Sequence, residues 1–156
     1  MLTISKRLTE TRPAAARLEL PFELRSKSRL RTMLSTGEEA GLVLERGTVL
    51  RGGDLLLAED GRVIEVVAAV ERVSTVSASD AWALSRAAYH LGNRHVALQV
   101  GAGWLRYLHD HVLDDMVRGL GMNVTVEEAA FEPEAGAYGA SAHSHAHAHP
   151  FVRRQG

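Results

Sequence analysis

Eight histidines and no cysteine define the chemistry open to this chain of 156 residues. Without thiols, disulfides, thiolate metal sites, iron–sulfur ligation and cysteine nucleophiles are excluded together. Imidazole remains as the versatile ligand, suited to nickel, copper, zinc and iron. The histidines fall at 90, 95, 109 and 111 and then at 143, 145, 147 and 149. None lies in the first 89 residues, so the two halves of the chain do different work.

His95 follows a Gly-Asn pair in YHLGNRHVALQV, residues 89–100. Gly92 is suited to the left-handed position that ends a helix, and Asn93 tolerates it. The segment 95–100 then alternates as a strand, with Val96, Leu98 and Val100 on one face and His95, Ala97 and Gln99 on the other. If the valine and leucine face is buried, His95 is exposed to a ligand or to a second subunit. His109 and His111 flank Asp110 in LHDHVLDD. On an extended segment they project the same way, whereas in a helix they point about 200° apart and cannot share a metal. The expected strand-to-helix junction falls on these residues, so both arrangements stay open. Asp110, Asp114 and Asp115 enter the first turn of that helix, where carboxylates suit the dipole. His90 stands near a helix C-terminus, where a cation is likewise stabilised. His143, His145, His147 and His149 alternate with Ser and Ala in HSHAHAHP, a His-rich tract that reads as metal binding. From Pro133 to His149 about 16 residues span roughly 50 Å fully extended. As a coil they span about 20 Å. Tail histidines can therefore reach a site near His95 or His109.

The elements behind these residues divide near residue 70. Residues 1–70 read as an all-β domain, with LVL (42–44), LLLA (55–58) and VIEVVAAV (63–70) separated by glycine turns such as Asp60-Gly61. ELRSKSRLR (23–31), with Arg25, Lys27, Arg29 and Arg31, reads as a solvated loop or a charge-guarded edge strand, with a docking patch as the alternative. In residues 71–133, ERVSTVS is a strand and Ser79 is the expected N-cap of a helix. Ala81, Leu84, Ala88 and Leu91 form that helix's buried face. Strands at 95–100 and 104–109, a helix at 110–120 and a strand at 123–129 follow. The order is βαββαβ, the ferredoxin-like arrangement, making the chain α+β. Residues 134–156 hold few large apolar side chains and are expected to be a disordered, histidine-rich tail.

The totals fit a cytoplasmic protein better than a nucleic-acid or membrane protein. A formal charge of -1 offers no attraction to nucleic acid or anionic lipid. The N-terminus has no apolar core like that of a signal peptide, and no apolar run approaches the roughly 20 residues of a membrane helix. The chain carries neither a GxxxxGK[ST] phosphate loop nor an HExxH metal-hydrolase motif.

YHLGNRHVALQV, RYLHDHVLDDMVRGLG, FEPEAGAYG and a histidine-rich end, in that order, closely resemble the urease accessory protein UreE family of nickel-binding metallochaperones. The resemblance is detailed from about 86 to 139 and looser over 1–70, where LERGTVLRGGDLL carries it. It implies an N-terminal β domain that engages partners and a C-terminal ferredoxin-like domain through which homodimers form. It implies that His95 binds Ni²⁺ on the two-fold axis with its symmetry mate. His109 and His111 correspond to further metal ligands or relay positions, and His143, His145, His147 and His149 to a variable tail. The tail here has four alternating histidines where some members have many more. The partners implied are the urease apoprotein complex and an accessory GTPase, and no catalytic activity is implied. Zn²⁺ and Cu²⁺ are able to occupy the same histidines. A site of few imidazoles with open positions is labile, as a carrier requires, whereas a closed four-ligand site suits a structural role. A histidine-based metal store without a specific delivery partner is the alternative.

Overall fold

A computed structural model describes residues 1–136. The expected tail at 134–156 therefore lies mostly outside the described residues, as do His143, His145, His147 and His149. Two sheets account for most of the structure. The first contains β1 (Leu2–Leu8), β2 (Ala16–Leu20), β3 (Arg29–Met33), β4 (Glu39–Val43), β5 (Leu55–Ala58) and β6 (Val63–Ala68), in the order β2-β6-β5-β1-β4-β3. Alternation decides what each strand buries: in β2, Ala16, Leu18 and Leu20 face inward while Arg17 and Glu19 face water. Their inward faces meet Ile4, Leu42, Leu56 and Ile64 in one core. The β5–β6 hairpin turns at Gly61, whose φ of 92° would strain any residue with a Cβ.

The basic stretch at 23–31 splits into two environments. Arg29 and Arg31 project from β3, an edge strand, as charge guards. Arg25 instead ends the single-turn helix α1 (Phe22–Arg25) and is fully buried. Its guanidinium donates to the carbonyls of Leu20 (3.0 Å), Leu50 (3.2 Å) and Phe131, and to Glu132 Oε1 at 2.8 Å. Burial pushes this guanidinium below its ordinary pKa, and Glu132 opposes that shift. The partners come from both halves of the chain, so Arg25 ties the first sheet to the segment that follows the second. Phe22 stacks edge-on against Phe131 at 5.6 Å beside it, and Gly52 N–H donates to Glu132 Oε2 at 2.9 Å.

The second sheet contains β7 (Val70–Ser77), β8 (Gln99–Gly101), β9 (Trp104–Leu108) and β10 (Asn123–Ala130), all antiparallel, in the order β10-β7-β9-β8. Helix α2 (Ala81–Asn93) joins β7 to β8, and α3 (His111–Gly119) joins β9 to β10. Ala87 and Leu91 from α2 and Leu113 and Val117 from α3 pack on Val76, Leu105 and Tyr107. Two local expectations fail. The N-cap of α2 is Asp80, whose carboxylate accepts from Trp82 N–H at 3.0 Å, and not Ser79. Ala81, the first residue after that cap, is exposed, and Ala87 takes its place on the buried face. No helix among the described residues is long and apolar enough to cross a membrane.

Candidate metal centre

His95 owes its position to how α2 ends. The helix runs through Gly92 to Asn93, and Arg94 is its C-cap. His95 N–H then donates to Gly92 O at 2.9 Å and Val96 N–H to Leu91 O at 3.4 Å. These are the two closing bonds of a Schellman motif, with His95 at the left-handed position usually given to glycine. Its φ is 59°, and no other non-glycine residue among those described has a positive φ. For a side chain with a Cβ that conformation costs about 1 kcal/mol. The expected stop at Gly92 is therefore displaced by three residues. Closure is set by the partly buried Val96, which packs in the same core as Leu91.

The expected strand at 95–100 is shortened for the same reason. Regular pairing begins at Gln99, and residues 96–98 run outside the sheet. Val96 and Leu98 still pack against the helical core, and His95 is exposed. Val100, expected to share the buried face, is 52% exposed on the edge strand β8. The segment 131–134 stitches this region down: Glu134 N–H donates to Leu98 O at 2.8 Å and Glu132 N–H to Gln99 Oε1 at 3.0 Å. Among the described residues, no hydrogen bond or ion pair involves the His95 imidazole.

His109 and His111 occupy unlike surroundings on either side of Asp110. Asp110 is the N-cap of α3, its carboxylate accepting from Val112 N–H at 2.9 Å and Leu113 N–H at 3.2 Å. His111 is the first helical residue and is exposed. His109 is half-buried, with Nδ1 lying 3.1 Å from Asp114 Oδ2 and 3.2 Å from Ser74 Oγ. Asp114 is only 1% exposed, and its other oxygen accepts from Tyr107 O–H at 2.6 Å. Burial, and next the adjacent carboxylate, push the Tyr107 phenol well above its ordinary pKa. Asp114 lies in the first turn of α3, where the sequence places it for the helix dipole, but its burial and its two partners give it a second role. It sits between the buried Leu113 and Val117 on the inner face of α3. Two signals could have found it: an aspartate on a buried helical face, and an inward-facing tyrosine whose hydroxyl needs a partner.

His90 lies beside Tyr89, with ring centroids 5.2 Å apart, and the structure gives it no further role. Among the described residues, no three His, Asp or Glu side chains converge on a point able to hold a metal ion. His95, His109 and His111 of one chain do not make a closed site together. Each offers single imidazole donors, suited to a site completed by ligands from elsewhere.

Comparison with known proteins covers both halves. The model for the UreE urease accessory protein N-terminal domain matches residues 4–69, and that for the UreE C-terminal domain matches 71–153. The urease accessory protein UreE of Alkalilimnicola ehrlichii is 61% identical over 139 residues, covering 89% of this chain and 85% of its own. That of Pseudomonas putida strain W619 is 58% identical over 156 residues, covering 98% and 97%. That of Proteus mirabilis is 57% identical over 134 residues, covering 86% and 83%.

Proposed function

Because the chain belongs to the UreE family of urease accessory proteins, we propose that it is a cytoplasmic metallochaperone that binds Ni²⁺ through histidines and delivers it for assembly of the urease metallocentre. Residues 1–70 form the partner-binding domain, 71–133 a ferredoxin-like metal-binding domain and 134–156 a histidine-containing tail. The antiparallel order β10-β7-β9-β8 with both helices on one face supports the ferredoxin-like reading. The protein acts as a homodimer with the urease apoprotein complex and its accessory GTPase. His95 is the central ligand, His109 and His111 are further ligands, and His143, His145, His147 and His149 add capacity.

The single observation that carries this reading is His95 in a left-handed conformation. Glycine at that position would remove the strain, so the imidazole is held there for what its side chain does. A two-fold axis doubles any ligand placed near it, which turns one exposed histidine per chain into a pair. Copper binds nearly any such site more strongly, so cargo identity follows from supply as well as from affinity. Hydrolysis is disfavoured: Ser74 and Asp114 approach the same nitrogen of His109, so that ring cannot relay a proton from a serine nucleophile to a carboxylate.

Calorimetric titration with Ni²⁺ of the wild type, His95→Ala and a chain stopped at Ala142 tests the proposal. Loss of the tight site in His95→Ala, with tight binding kept in the shortened chain, is the expected result. Tight binding unchanged by His95→Ala and abolished by removing the tail would instead make the protein a histidine-based metal store.

A further inference from the structure

Two side chains meet the His109 ring, Ser74 from β7 and Asp114 from α3, and Tyr107 of β9 donates to Asp114 behind it. Stability alone does not call for this cluster. Apolar side chains of similar volume would fill the same space without burying a carboxylate, and such replacements in cores are often neutral or stabilising. The cluster has a defined direction. Tyr107 donates to one Asp114 oxygen, which leaves the other, 3.1 Å from Nδ1, facing the imidazole. A carboxylate only accepts, so the proton of the neutral ring belongs on Nδ1 and the lone pair on Nε2. His109 keeps 28% side-chain exposure while Asp114 has 2%, so the ring is open to solvent although its partner carboxylate is not.

Resting on the metal-carrier reading above, we propose that Asp114, held by Tyr107, is a positioning residue that fixes the His109 tautomer and makes Nε2 the only nitrogen His109 offers to a divalent cation. The carboxylate also orients the ring and supports that nitrogen as a donor, as an outer-shell partner of a metal-bound imidazole does. His95, with no such partner among the described residues, receives neither effect. The two ligands then differ in strength: His109 binds as a supported imidazole and His95 as an unsupported one. A cation moving between them moves along a gradient set by the fold.

The test uses the full chain labelled with ¹⁵N in its imidazoles, metal-free, at about pH 8, where ordinary imidazole is neutral. In the wild type, His109 is expected as the Nδ1–H tautomer, against the Nε2–H form that free histidine prefers. Asp114→Asn should mix the two forms and lower the affinity of the His109-dependent step for Ni²⁺ alone by about 10–100-fold. The His95-dependent step should stay unchanged. Tyr107→Phe keeps the carboxylate against Nδ1, so it should retain the tautomer and give a smaller loss. That variant and the wild-type spectrum decide the matter if Asp114→Asn does not fold. An Nε2–H tautomer in the wild type overturns the proposal, as does an unchanged affinity in folded Asp114→Asn. A different result marks failure of the carrier reading at this residue. If His109 keeps its tautomer and His109→Ala binds Ni²⁺ like the wild type, His109 is not a ligand, and the metal half of the proposal falls with it.

Discussion

The end of α2 and the start of α3 each present a histidine, and they do so by opposite means. At His95 the backbone is strained and the side chain is unheld: φ is 59° and the imidazole is exposed. At His109 the strain is absent and the side chain is held, by a carboxylate that is itself buried and hydrogen-bonded. Backbone strain fixes where a side chain starts but leaves its rotamer free. A buried hydrogen-bond cluster fixes the ring itself. Under the proposed function, the first suits a ligand that meets a symmetry mate, and the second suits a ligand with one preset direction.

The largest effect is expected away from both histidines, and it tests whether their presentation is independent of the junction between the sheets. Glu132→Ala leaves the buried Arg25 guanidinium without its carboxylate, which should lower the unfolding free energy by about 3–5 kcal/mol. Chemical denaturation measures the loss. Retained Ni²⁺ stoichiometry in the folded variant would mean the junction is structural, and altered stoichiometry would break the separation. Next in size, Asp114→Ala removes the shared acceptor of Tyr107 and His109 and should cost about 3 kcal/mol. An effect near zero would mean that the cluster is open to water and holds nothing. The smallest change is expected for Asp110→Ala, which removes the N-cap of α3 and should cost about 1 kcal/mol. Amide exchange should then rise at Val112 and Leu113, the two donors the cap satisfies, while the His109–Asp114 contact persists.

Much of this organisation is legible in the sequence, and the misses share a cause. The order of strands and helices after residue 70 follows from hydrophobic period and turn residues, which are local. The stop at α2 is misread because glycine is the best left-handed residue, yet the helix closes where Leu91 and Val96 can pack together. That choice is tertiary, and it moves the left-handed residue from Gly92 to His95. Arg25 is misread for a similar reason. In a run of basic residues it looks solvated, and only the return of Phe131 and Glu132 from the far end of the chain supplies partners for a buried charge. Asp114 obeys the helix-dipole rule and so hides a second role that needs Tyr107 beside it. The i, i+2 spacing of His109 and His111 is compatible with a shared or a divided arrangement, and the cap at Asp110 divides them.

His95→Gly tests the central claim most directly, because it relieves the backbone while deleting the proposed ligand. Denaturation and Ni²⁺ titration on the same sample should move in opposite directions. The expected result is a fold more stable by about 1 kcal/mol that has lost its tight Ni²⁺ site. A variant that is no more stable, or that binds Ni²⁺ as tightly as the wild type, would contradict the claim that strain at His95 is retained for metal.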